Sequence, residues 1–164
     1  MKKQFTLTHV HPLPNRVLQL DYADGQRFQA DVTPVIQRSP VLAALNDPAL
    51  FNRATLGAWG ACVRFGDDDN LELAADNLRA QAVAQSGQYS HEFVQEWMHR
   101  NGLTQQMAAG ALGISRRMLA YYLSGAKPVP RTVALACLGW QSSRPRTKQL
   151  KFAAFSSHAQ THHV

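Results

Sequence analysis

Arg116 and Arg117 stand side by side at the opening of a helical pattern whose apolar stripe is Leu119, Tyr122 and Leu123. Ala120, Tyr121 and Ser124 fall on the side away from that stripe, with Met118 on its border. A guanidinium carries a planar fork of donors. The fork grips a phosphate, or it reaches O6 and N7 of a guanine together, which gives about 1–3 kcal/mol of discrimination per bidentate pair. Two such groups on one face are either readers of a partner or a solvated surface, and charge favours the first. Residues 88–164 hold nine Lys or Arg against two acids and residues 1–87 hold eight against nine, so the net charge of +6 is concentrated with the arginine pair. A basic half suits a phosphate-bearing partner, and such association weakens with added salt as counterion release loses its advantage.

Other chemistry finds little support in the sequence. The histidines (His9, His11, His91, His99, His158, His162 and His163) form no His-Glu-x-x-His pair and no cluster with cysteine at zinc spacing. His9 and His11 share one face of an expected strand and read as partly exposed side chains. Asp67, Asp68 and Asp69 crowd one turn, where neighbours point in different directions instead of converging on an ion. Asp21, Asp24 and Asp31 lie along a hairpin with no accompanying nucleophile and base. Cys62 and Cys137 read as free, buried thiols. No enzyme activity, metal or cofactor is therefore expected. No apolar run is long enough to span a bilayer, and Lys2-Lys3 is followed by the mixed stretch Gln4 to His11, so a cytoplasmic protein without a membrane partner is expected.

The elements that must hold the arginines are legible on both sides of them. Thr104 sits where an N-cap belongs, and Met107, Ala108, Ala111 and Leu112 then recur at helical spacing. Gly113 closes that helix in a left-handed conformation, Ile114 drops toward the core, and Ser115 caps the arginine-bearing helix. Ala109 is small enough to let the two helices approach closely. Gly110, inside the first of them, costs roughly 1 kcal/mol against alanine and has to be tolerated by packing. Two short helices joined by a glycine turn form a helix-turn-helix, the layout of a common DNA reader. Upstream, Ser90 caps a helix carrying Phe93, Val94, Trp97 and Met98 and ended by Asn101-Gly102. Downstream, Pro130 opens one carrying Val133, Ala134, Cys137 and Leu138.

At Leu103-Thr104-Gln105, Ala109, Gly113-Ile114-Ser115 and Leu123-Ser124-Gly125 the chain resembles the lambda-repressor-like (Cro/repressor-type, XRE) DNA-binding family, over about residues 90–140. The resemblance implies an all-α, five-helix-like domain. It places Gln105 against a DNA phosphate and Arg116 and Arg117 in the major groove, with Tyr121 and Ser124 as secondary contacts. Ser115, Ala120 and Lys127 complete the implied DNA-binding set.

The first half follows a different pattern. Val17–Tyr22 and Arg27–Val32 alternate around the Asp24-Gly25 turn, a β-hairpin, and Phe5 to Val10 adds a strand before it. Short helical turns are expected at Pro34 to Ile36, Pro40 to Leu45 and Asp47-Pro48 to Phe51. Ala54 to Phe65 reads as a strand with a bend or bulge at Gly57 and Gly60. Gly66 to Asn70 is a turn, Leu71 to Leu73 a returning strand, and Asp76 caps a helix through Ala84. The order Leu13 to Gly25, Asp31-Val32-Thr33-Pro34 and Asp47-Pro48-Ala49-Leu50-Phe51, with Trp59 in the next strand, resembles a small uncharacterised α+β family. That family occurs alone or joined to a Cro/repressor-like domain; it implies no activity.

The expected architecture is α+β. A small mixed-sheet domain with short helices spans residues 1–84, a polar flexible linker residues 85–89, the all-α domain residues 90–141 and a basic tail residues 142–164. The tail's Arg144, Arg146, Lys148 and Lys151 alternate with Leu150, Phe152 and Phe155, so it either follows phosphates or stays solvated. The expected function is sequence-specific binding of duplex DNA by a transcriptional regulator. Its first half would dimerise, bind a ligand or hold a protein partner. A homodimer follows from the need to place two recognition helices about 34–36 Å apart. The alternative is an antitoxin-like accessory protein that keeps the helical fold and binds protein instead.

Overall fold

The computed structural model describes residues 2–144. The expected tail beyond Arg144, including its histidines, lies outside the described residues.

Strands β1 (Leu7–Leu13), β2 (Val17–Tyr22) and β3 (Arg27–Asp31) form an antiparallel sheet in the order β1-β2-β3. Alternation in β2 sends Leu18, Leu20 and Tyr22 into the core at no more than 2% exposure. The hairpin closes as expected, with Gly25 donating to the Tyr22 carbonyl at 2.9 Å and Asp24 accepting from the Gln26 amide at 3.1 Å. β1 departs from the sequence reading at both ends. A 3-10 turn at Lys3–Phe5 precedes it because Phe5 packs elsewhere, and it runs on through Pro12, which an edge strand tolerates.

Helix α1 (Thr33–Arg38), a 3-10 segment (Pro40–Asn46) and α2 (Pro48–Phe51) follow, and the Asp47 carboxylate accepts from the Ala49 amide at 3.0 Å. The expected single strand over residues 54–65 is instead a hairpin of β4 (Ala54–Leu56) and β5 (Cys62–Phe65). With β6 (Glu72–Ala74) these make a second antiparallel sheet in the order β4-β5-β6, so the half holds two antiparallel sheets in place of one mixed sheet. The reversal is made by Gly57, donating to the Cys62 carbonyl at 2.9 Å, and by Gly60. Trp59 therefore lies in a bend, not a strand, with φ of 59° and an 82% exposed ring.

Helix α3 (Ala75–Gln85) begins on Ala74, and Asp76 sits inside the first turn instead of capping it. The helix lies along β3, where the Gln81 and Gln85 amides donate to the Asp31 carbonyl at 2.6 and 2.8 Å. Leu18, Leu20, Val32, Leu45, Val63 and Phe65 are sealed at the centre of this first core.

A second core lies among α4 (His91–Arg100), α5 (Gln105–Leu112), α6 (Arg116–Leu123) and α7 (Arg131–Ser143). The described residues therefore give four helices here and not five. Ser124 to Pro130 is too short and too rich in proline for another, and its Val129 pairs with Tyr89 in a single antiparallel bridge. Val94, Leu119, Ala134 and Cys137 are fully buried, and Trp97 meets Trp140 edge-on at 5.6 Å. Trp140 fills the space expected for Leu138, which is turned out and 45% exposed. Cys137 is buried as expected, its thiol pushed up to about 11 by burial, while Cys62 is only half-buried. Ser90 occupies the cap position of α4, but its hydroxyl does not bond to the helix.

The expected flexible linker is bonded at both ends. Gln85 is still helical, the Ser86 hydroxyl and the Gln88 amide donate to the Val83 carbonyl at 2.7 and 3.2 Å, and Tyr89 joins the bridge. Gln4 donates to the Ser124 carbonyl at 2.9 Å and accepts from Arg79 at 2.8 Å. The Arg79 guanidinium also pairs with Asp24 and lies over the Tyr22 and Phe28 rings.

Phe5 packs against His91 in a tilted pair with ring centroids 4.7 Å apart, which explains the late start of β1. Burial holds the His91 pKa below the ordinary 6.5; Asp76 opposes this, and Arg79 and Lys2 reinforce it. The unfolded chain therefore takes up this proton first as pH falls. Stability is full above 6.5 and declines as pH drops from 6.5 toward the lower folded value. Urea midpoints across that window should fall in the wild type and flatten in His91→Gln; equal slopes would exclude His91 as the source.

Candidate nucleic-acid interface

Helices α5 and α6 are fixed by their ends. The Thr104 hydroxyl accepts from the Met107 amide at 3.2 Å and the Ser115 hydroxyl from the Met118 amide at 3.1 Å, both as N-caps. Between them Gly113 takes φ of 67°. The Gly113 and Ile114 amides return to the Gly110 and Ala109 carbonyls at 3.2 and 3.0 Å, which closes α5 and turns Ile114 against the second core. Ala108 and Ala109 are buried, while Met107, expected inside, is 54% exposed because the inward face of α5 runs through the two alanines and Leu112.

Gly110 faces open space, with no atom within 4 Å of the position a Cβ would take. Packing therefore does not require it. Gly110→Ala should stabilise the chain by up to about 1 kcal/mol, read as a raised urea midpoint; a lowered midpoint would reveal a contact at this position.

On α6, Leu119 and Tyr122 are buried and Arg116, Arg117 and Ala120 are exposed. Gln95 of α4 donates to the Leu123 carbonyl at 2.9 Å and holds the far end of the helix. The two arginines differ in their surroundings. Arg117 Nε donates to the Tyr121 hydroxyl at 2.9 Å, with its guanidinium 5.7 Å from the ring centroid, while Lys127 Nζ lies 4.9 Å from the same centroid. Arg116 makes no side-chain hydrogen bond among the described residues. A cationic cluster thus stands beside an arginine without a side-chain hydrogen bond, and Ala120 on the same exposed face carries only a methyl group.

The remaining site candidates are distributed around this face. Gln105 is the exposed first residue of α5. The Ser115 hydroxyl is committed to its cap. The Ser124 hydroxyl donates to the Tyr121 carbonyl at 3.2 Å, and the Ser124 carbonyl accepts from Gln4, so this residue ties α6 to the first half. Sequence spacing could have revealed the Arg117–Tyr121 pair, four apart on a helix. Lys127, named by the resemblance, could not have been placed over the Tyr121 ring from spacing, because the path of residues 124–130 depends on the distant Tyr89–Val129 bridge. Among the described residues no helix is long and apolar enough to cross a membrane, and no group of three His, Cys, Asp or Glu side chains could hold a metal ion.

The chain is similar to a solved structure from Nitrosomonas europaea, the "Putative DNA Binding Protein NE0471", at 40% sequence identity and a TM-score of 0.77, over 90% of this chain and 95% of that one. No protein-family model and no curated protein matches the chain.

Proposed function

Because the chain belongs to the same family as the Nitrosomonas europaea protein NE0471, we propose that it is a sequence-specific, duplex-DNA-binding transcriptional regulator. In this reading α5 and α6 are a lambda-repressor-like helix-turn-helix that lays α6 in the major groove. The observation that carries the reading is the outer face of α6, where Arg116 and Arg117 are exposed beside Ala120 and Tyr121 on a helix capped at its start and packed along its back. The excess of basic residues in the same half and the name of the relative support it.

Arg117 is the better-organised reader. With Nε engaged by Tyr121, its two terminal nitrogens still present a fork, and less side-chain freedom is lost on reaching O6 and N7 of a guanine. Arg116 then reads a neighbouring base or phosphate, and Gln105 meets the backbone through the first turn of α5. A single helix reads few base pairs, so the protein acts as a homodimer on half-sites about 34–36 Å apart, in the cytoplasm, by binding and not by catalysis.

Selection from a randomised duplex library at low and moderate salt tests this reading. The expected result is one two-fold-symmetric motif, with affinity falling steeply as salt rises. Absence of any motif would overturn it in favour of a protein-binding role for the same basic face.

A further inference from the structure

Residues 2–5 belong to the first half of the chain, yet they are fastened to the end of α6. The Gln4 side-chain amide donates to the Ser124 carbonyl at 2.9 Å, and Ser124 is the residue that closes α6. Phe5 lies against the next residue, Gly125, where a Cβ would stand 2.6 Å from Phe5 Cζ. The first half holds the same segment from its other side. Arg79 donates to the Gln4 carbonyl at 2.8 Å and is itself paired with Asp24 at 2.7 Å. The Phe5 amide and the Thr6 hydroxyl both donate to the Lys2 carbonyl, at 2.9 and 3.0 Å, which closes the segment into a turn.

That turn carries Lys2 and Lys3. Both are exposed, and neither makes an ion pair among the described residues. They stand two residues and one residue from Gln4, at about 3.8 Å per Cα step, so the contact with Ser124 fixes their place beside the end of α6. Lys127 reaches the same end by another path: its amide donates to the Tyr121 carbonyl at 3.2 Å, and its ammonium lies over the Tyr121 ring. Lysines from both halves thus border a helix that already carries Arg116 and Arg117. Like charges gathered in this way repel one another, and a polyanion relieves the repulsion. The major groove is only about 12 Å wide and has a phosphate strand on either side, so groups just past the end of a helix seated in it meet backbone and not bases.

We propose that Lys2 and Lys3 bind phosphates of the duplex that α6 reads, which makes the first half of the chain part of the DNA interface. This assignment rests on the DNA-binding reading above, and the two fail in different ways.

Fluorescence anisotropy measures the affinity of the full chain for a duplex carrying the selected motif, or for a random duplex if no motif emerges, from about 50 to 200 mM salt. Each phosphate contact adds about 0.9 to the steepness of log affinity against log salt. Lys2→Ala/Lys3→Ala should therefore flatten that slope by about 1–2 while the selected motif stays the same. Its circular dichroism should match the wild type, since the turn is held by backbone carbonyls and Gln4, which the substitutions keep. Arg38→Gln/Arg53→Gln removes as much charge from the first half, at side chains that bond to Pro34 and Asp67 within it, and should leave the slope at its wild-type value. An unmoved slope in the lysine variant, or an equal flattening in the arginine control, overturns the assignment while DNA binding itself stands. A wild-type chain that binds no duplex at any salt overturns both.

Discussion

Alanine at both Arg116 and Arg117 is expected to erase the motif that the wild-type chain selects from a duplex library, while salt-sensitive binding without sequence preference remains. Each bidentate arginine–guanine pair supplies about 1–3 kcal/mol of discrimination, so losing two removes roughly 2–6 kcal/mol, enough to level a preferred site with its competitors. Both side chains are exposed, and substitutions at such positions change stability by about 0.5 kcal/mol or less, so the double variant should melt with the wild type. An unchanged motif in a folded double variant would refute major-groove reading by this face. Tyr121→Phe separates the two arginines. It keeps the ring beneath Lys127 but removes the acceptor for Arg117 Nε, so discrimination should weaken at one base pair per half-site while Arg116's share persists.

The contrast between those two arginines also marks what a sequence can disclose. Their exposure follows from period: Leu119 and Tyr122 fix the buried side of α6, and everything opposite must face out. Thr104, Gly113 and Ser115 were legible for the same reason, since a cap or a left-handed closure depends on residues three or four apart. The Val17–Tyr22 and Arg27–Asp31 hairpin and the Asp47 cap are equally local.

What escaped depends on partners far along the chain. Phe5 has the pattern of a strand residue but leaves the sheet for His91. Leu138 fits the stripe of α7 as well as any residue, until Trp97 recruits Trp140 to the same side. Ser90 reads as a cap from its position, yet its hydroxyl makes no bond to the helix. The α+β class was legible, but the division into two antiparallel sheets was not. Gly57 and Gly60 announce a bend, and only the pairing of Gly57 with Cys62 makes that bend a complete reversal.

Gly60→Ala should be the most damaging single substitution among the glycines, and Gly113 supplies its control. Both residues have φ of 67°, so alanine pays the same left-handed penalty at either, about 1–2 kcal/mol. Their surroundings differ. At Gly113 a Cβ meets nothing within 4 Å, whereas at Gly60 it would stand 2.1 Å from the Leu7 carbonyl oxygen and 3.0 Å from the Leu7 amide nitrogen. These are backbone atoms of β1, which cannot swing aside as a flexible side chain would. Overpacking of this kind adds about 1–3 kcal/mol, and relief requires β1 to part from the β4–β5 bend. That contact joins the two sheets of the first core, so the strain falls on the arrangement that buries Leu7, Val63 and Phe65. Gly60→Ala should therefore lose roughly 2–5 kcal/mol, a large part of the total for a chain of this size, against about 1–2 for Gly113→Ala. Urea unfolding followed by circular dichroism measures both. Equal losses would mean that the backbone angle alone requires glycine at residue 60, and that the close approach of β1 to the bend contributes nothing to stability.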